Sequence, residues 1–277
     1  MKNNSVTVEG IHYKENRGIQ ITINGGIIEA IKPYEVKEPT TFIAPGFVDL
    51  QVNGFKGVDF NNLTLSETDI EKAVCFLLEE GVTSFYPTVI TNSYENITKL
   101  VQIIYEAVKK NEVIRQAIPG IHLEGPFLSP ENGPRGAHSI HAIQPPNWNF
   151  FKQLNDTVNG FIKIITLSPE WKEAADFINK GVNSGVLVSI GHTNATSEQI
   201  RKAVQAGAKL STHLGNGAHV LLPRHPNYLW DQLAEDSLAA TVIADGFHLP
   251  PSVLKVFEKV KGDNMIVISD SVALAGL

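Results

Sequence analysis

The chain has 277 residues, enough for one large domain or two modest ones. Hydrophobic residues make up 43% and charged residues 19%, with a formal net charge of −6. That balance disfavours disorder, collagen and coiled coil, and speaks against a nucleic-acid or anionic-membrane partner. The single cysteine, Cys75, cannot close an internal disulfide, no apolar run nears the ~20 residues that cross a bilayer, and the first twenty residues lack a signal-peptide core. The expectation is a soluble, cytoplasmic protein.

In chain order, Ser5–Val8, Ile19–Ile23 and Ile27–Ile31 are short apolar runs separated by Gly or by Asn24-Gly25, which predicts a β-meander. Three short strands need a partner sheet, so residues 1–43 read as part of a small β-sandwich domain, with Lys32–Thr41 as a polar connector. From residue 44 to 277 the pattern becomes strand and helix in alternation. Strands are predicted at Phe47–Gln51, Val82–Thr88, Ala117–Leu123, Ile162–Thr166, Val186–Ile190, Leu210–Thr212, Leu238–Ala244 and Met265–Ser269. Helices are predicted at Ser66–Glu80, Ser93–Lys110, Trp171–Asn183, Ser197–Ala206 and Pro251–Val260, and Gly125–Pro146 reads as a long loop. This series predicts a (β/α)8 barrel, since a single such barrel takes ~250 residues. The rival open doubly wound sheet lacks a Gly-rich dinucleotide turn after its first strand.

Residues capable of chemistry fall at the C-terminal ends of these strands, where barrel enzymes build their sites. Glu124, His192 and His213 end separate strands, and two imidazoles with one carboxylate suit a zinc or ferrous ion that keeps room for a reactive water. The alternative for any one such histidine is a loop hydrogen bond. Asp270 ends the last strand, as a proton acceptor for water or as the cap of a following helix. His122 alternates with Glu124 and reads as a core residue behind it, and Asp49 reads as structural. Lys163 sits too early in its strand to bridge metals, Trp148, Trp171 and Trp230 read as packing anchors, and Arg224-His225 is either an anion contact or an exposed loop charge.

The segments APGFVDLQVNG (44–54), HLEGPF (122–127), GAH (136–138), GHTNAT (191–196), THLGN (212–216), ADGFH (244–248) and SDSVALAG (269–276) resemble, in order, the amidohydrolase superfamily and within it the N-acetylglucosamine-6-phosphate deacetylases. The resemblance implies metal-assisted hydrolysis of the acetamido bond of an N-acetyl amino sugar phosphate, with a single divalent ion, Zn²⁺ or Fe²⁺, on Glu124, His192 and His213. It makes Asp270 the catalytic acid and base and His138 the group that helps polarise the acetyl carbonyl. Gln51 and Asn53 replace the His-x-His pair of a second metal. Asn216, Gly217 and His248 resemble sugar-phosphate contacts, and Arg224 a phosphate contact donated across a homodimer.

Two departures from the family pattern shape the expectation. The usual THLFNAM and Arg-Glu-Pro-Gly-like turn are replaced by Thr212–His219 and Pro223–Asn227, which leaves a related N-acetyl sugar or another amide open as substrate. Family members also continue beyond the strand-eight aspartate, whereas this sequence stops at Leu277, so the resemblance implies a C-terminally truncated chain lacking its last barrel helix. An inactive amidohydrolase-like binding protein is the reading from a different class.

Overall fold

A computed structural model describes residues 5–36 and 41–277, so the connector expected at 32–41 lies partly outside the described residues. The chain divides into two compact units, Met1–Phe47 and Val48–Leu277. The first carries β1 (Ser5–His12), β2 (Gly18–Asn24), β3 (Ile27–Pro33) and β4 (Phe42–Ile43) in one mixed sheet of order β3-β2-β1-β4. β2 and β3 pair antiparallel around Asn24–Ile27, as the Asn-Gly turn requires.

The second unit is a parallel barrel. Its strands are β5 (Phe47–Val52), then after a small ribbon of β6 (Gly54–Phe55) and β7 (Val58–Asp59), β8 (Val82–Ile90), β9 (Ile121–Glu124), β10 (Ile162–Leu167), β11 (Leu187–Ile190), β12 (Leu210–Ser211), β13 (Ala239–Ile243) and β14 (Met265–Ile268). They lie in the order β14-β13-β12-β11-β10-β9-β8-β5, and a parallel bridge from Val52 to Ser271 brings the two ends together. Asp270 N–H donates to the Gln51 carbonyl at 3.0 Å across the same seam. The eight-stranded series read from the apolar runs is therefore a (β/α)8 barrel.

Helices α1 (Glu67–Glu79), α2 (Tyr94–Lys110), α3 (Glu112–Ala117), α4 (Trp148–Thr157), α5 (Ala174–Asn183), α6 (Ser197–Gln205), α7 (Tyr228–Ala234) and α8 (Pro251–Lys261) connect the strands. α1 begins with a capping box in which the Ser66 side chain accepts from Asp69 N–H and Asp69 reaches back to Ser66 N–H. α2 buries Ile97, Leu100, Val101, Ile104 and Val108, an i, i+3, i+4, i+7 stripe against the strands. Three helices, α3, α4 and α7, go beyond those the sequence predicts, and Ala117 belongs to α3 rather than to the strand that follows it. Each starts at an asparagine cap, Asn111, Asn147 or Asn227, whose side-chain oxygen accepts the first free N–H groups.

One buried cation ties α7 to α8. Lys261 Nζ donates to the carbonyls of Gln232, Glu235 and Leu238 at 2.9, 2.7 and 2.9 Å. A buried carbonyl left without its donor costs roughly 1–3 kcal/mol, partly relieved where water reaches it. Lys261→Met is expected to lower unfolding free energy by about 2–3 kcal/mol in urea titration, with the slope unchanged.

Candidate active site

Glu124 ends β9, His192 follows β11, His213 follows β12 and Asp270 follows β14. The backbone at His192, His213 and Asp270 is left-handed, with φ of +49°, +31° and +48°. Non-glycine residues hold such angles only where the surrounding structure enforces them. Here three strand ends share the same turn, and their side chains meet in one cavity of about 600 Å³ at the mouth of the barrel.

At its floor, Glu124 Oε1 lies 3.2 Å from His192 Nε2 and 3.1 Å from His213 Nε2, and the two nitrogens are 3.0 Å apart. His192 Nδ1 donates to the Pro134 carbonyl at 2.8 Å, since a carbonyl only accepts, so the neutral form of the ring carries its lone pair on Nε2. His213 Nδ1 is buried without a partner. Burial pushes Glu124 upward, but hydrogen bonds and charge from both histidines hold it well below the usual carboxylate range. Burial likewise depresses His213, and the Glu124 contact raises it above the ordinary imidazole value.

This arrangement fits a divalent ion. Donor atoms at ~2.0–2.1 Å from a tetrahedral ion stand ~3.3 Å apart, close to the three separations present. Two imidazole nitrogens facing one carboxylate oxygen form a donor set for zinc or ferrous iron, and a cation between them removes the opposition of lone pairs. The close packing is reflected in Gly217, at φ +57°, where an added Cβ would stand 2.8 Å from His192 Nδ1.

Asp270 and His138 line the same cavity. Burial pushes Asp270 up to about 6, the Glu124 charge adds to this, and His213 with an Asn53 hydrogen bond opposes it. Burial carries His138 down to about 4 despite Glu124, so its imidazole is neutral at pH 7. Asn53 Nδ2 donates to Asp270 Oδ1 at 2.8 Å, and Gln51 Nε2 donates to Glu124 Oε1 at 2.8 Å. Asn216, Gly217 and His248 also line the cavity, and Asn216 Nδ2 has no hydrogen-bond partner. Arg224 does not: it is exposed, on the loop before α7.

The remaining histidine of the β9 motif, His122, is buried, with Nδ1 against the Leu50 carbonyl at 2.9 Å and Nε2 against Thr166 Oγ1 at 2.7 Å. Asp49 accepts from the N–H groups of Gln51 and Ser269, both at 3.1 Å, which stitches the first strand to the last. Lys163 is exposed and donates to the Gly160 carbonyl. Two further residues that the sequence does not single out stand at the site. Asp59 lines the cavity, and Thr91, one residue past β8, binds His138 Nδ1 at 2.9 Å. Threonine one residue past a strand is too common to single Thr91 out in the sequence.

A parallel eight-stranded barrel with two histidines and a glutamate converging at its C-terminal mouth beside a half-buried aspartate has the build of a metal-dependent hydrolase. Residues 42–275 match the amidohydrolase family, and the chain belongs to it. It is 33% identical over 269 residues to N-acetylglucosamine-6-phosphate deacetylase of Bacillus subtilis, covering 93% of this chain and 67% of the relative. The corresponding protein of Haemophilus influenzae is 34% identical over 275 residues, covering 95% of this chain and 69% of the relative. The crystal structure of N-acetylglucosamine-6-phosphate deacetylase from Pasteurella multocida superposes with a TM-score of 0.84 at 29% identity, over 97% of this chain and 72% of that one. The chain thus spans about two thirds of the length of these relatives. Among the described residues, no helix is long and apolar enough to cross a membrane.

Proposed function

We propose that this chain removes the acetyl group from N-acetylglucosamine 6-phosphate, breaking the amide C–N bond with water to give glucosamine 6-phosphate and acetate. The observation that carries the reading is the convergence of Glu124, His192 and His213 in one cavity with Asp270. Those three side chains would hold a single Zn²⁺ or Fe²⁺, which when bound supplies Lewis acidity and an acidified water. Gln51 orients Glu124, and Asn53 orients Asp270. Asp270 takes a proton from the attacking water and passes it to the departing nitrogen, the two-way transfer that a carboxyl tuned toward neutrality performs well. Neutral His138 offers a hydrogen bond to the acyl oxygen as charge develops there. Asn216, Gly217 and His248 contact the sugar and its phosphate.

One observation favours a refinement at the phosphate end. The described residues lining the cavity include no lysine or arginine, while Arg224 lies exposed outside it. We propose that Arg224 serves the site of a second copy in a homodimer. The lone free cysteine and absence of a disulfide fit work in the reducing cytoplasm.

The test is direct. Protein loaded with Zn²⁺ or Fe²⁺ is expected to release one acetate per N-acetylglucosamine 6-phosphate consumed, and to lose this activity after chelation. A folded, metal-loaded sample that releases no acetate sinks the substrate assignment. Release from unphosphorylated or epimeric N-acetyl sugars at equal rate would move the assignment to that sugar. Retention of fold with no turnover on any amide would leave the binding-protein reading.

A further inference from the structure

His138 serves the acyl oxygen only with a hydrogen on Nε2, the nitrogen turned toward the metal ligands. Nε2 lies 3.7 Å from Glu124 Oε2, and Nδ1 lies 2.9 Å from Thr91 Oγ1. The hydroxyl of Thr91 has one hydrogen and two neighbours, Nδ1 of His138 and, at the longer distance of 3.4 Å, the carbonyl oxygen of Glu124. If the hydroxyl gave its hydrogen to that carbonyl, Nδ1 would carry the ring hydrogen and Nε2 would point a lone pair at a carboxylate oxygen, which only accepts. If the hydroxyl gives it to Nδ1, the ring hydrogen sits on Nε2 and points toward the carboxylate's negative charge. The second arrangement uses the shorter contact and turns an N–H, rather than a lone pair, toward the negative carboxylate 3.7 Å away.

We propose that Thr91 is a positioning residue that donates to His138 Nδ1 and so holds the ring in the tautomer whose Nε2–H faces the acyl oxygen. The surroundings leave Thr91 little freedom. Its hydroxyl is packed so tightly against Gly125, at φ +91°, that a Cβ there would lie 2.1 Å from Oγ1. The glycine of the β9 motif is therefore the residue that admits the hydroxyl. His138 is fixed from its other side, because Arg135 donates to its carbonyl at 2.9 Å and its ring meets that of His192 edge-on at 4.4 Å. A ring held at both flanks needs only its proton placed, and Thr91 is the contact that places it.

The role assigned to His138 rests on the deacetylase reading, so the test separates the two. Zinc-loaded wild type, Thr91→Val and Thr91→Ser proteins, with nitrogen-15 in their histidines, are compared by NMR for the site of the His138 hydrogen and by acetate release for kcat and KM. Wild type and Thr91→Ser are expected to show hydrogen on Nε2 with Nδ1 accepting a hydrogen bond, and Thr91→Val to lose that signature. Removing an oxyanion donor outright costs ~10²–10³ in kcat. Loss of its tautomer control is expected to cost about tenfold in kcat, with KM and zinc content within about twofold and kcat restored by serine. Hydrogen on Nδ1 in wild type overturns the proposal, as does a Thr91→Ser protein as slow as Thr91→Val. A parallel loss of zinc and kcat in Thr91→Val would make Thr91 a merely structural residue. If wild type releases no acetate, the substrate reading fails, and the NMR comparison still decides the hydrogen-bond assignment.

Discussion

His213→Ala is expected to abolish stoichiometric binding of Zn²⁺ or Fe²⁺ and to lower acetate release by about a thousandfold or more, leaving the barrel folded. Three donor atoms are few for a divalent ion, and loss of one leaves two protein ligands where catalytic zinc sites use three. The chemistry lost is acidification of water, whose pKa a bound zinc brings from ~15.7 toward ~7. The fold should survive, because His213 follows a two-residue strand and the packing around it rests on Leu214, Val242 and Leu249 rather than on the imidazole. Gln51→Leu is the graded companion. It removes only the hydrogen bond to Glu124 Oε1, and orienting partners of this kind are worth about 10–100-fold in metal affinity or activity. Metal analysis of the purified variants and acetate release at saturating added metal check both. Full activity in His213→Ala with bound metal would remove His213 from the centre.

The barrel was legible because its evidence is repeated: each buried parallel strand is a short apolar run, and each strand end adds an independent chance to see a chemical residue. Glu124, His192, His213 and Asp270 were visible for that reason, being side chains with few bland explanations once they recur at strand ends. The short helices α3, α4 and α7 left weaker traces, since six to ten residues show little periodicity and the asparagine caps that start them also suit turns. Thr91 was invisible for a chemical reason, since threonine is ordinary at a strand end and only its partner reveals its use. The left-handed backbone of His192, His213 and Asp270 was equally hidden, because histidine and aspartate enter that region more readily than most side chains yet still only in a small minority of cases. Where Arg224 stands relative to the cavity depends on the path of an irregular loop, which side-chain patterns do not encode.

Asp270→Asn is expected to lower kcat by about 10²–10⁴, the usual worth of a positioned proton-transfer group, with bound metal and KM little changed. It carries a second, opposite expectation. In the metal-free protein burial pushes Asp270 up to about 6, against an ordinary value of 3.8. The folded state therefore binds this proton more tightly than the unfolded state, so the group favours folding while protonated and that advantage is lost as the pH rises through 6. At pH 7 the ionised, half-buried carboxylate costs on the order of 2–3 kcal/mol by linkage. Asparagine has nearly the same shape, tolerates the left-handed backbone that Asp270 occupies, keeps an oxygen for Asn53 Nδ2 and carries no charge. Metal-free Asp270→Asn is thus expected to be more stable than wild type by about 1–3 kcal/mol at pH 7, with the difference shrinking as the pH falls from 6 toward 4. Urea titrations of both metal-free proteins across that range measure it. A bound divalent cation neutralises the site and should erase most of the gap, so repeating the titration with metal tests whether the stored cost belongs to the Asp270 charge. A variant that loses turnover and stability together at pH 7 would show Asp270 acting mainly through packing.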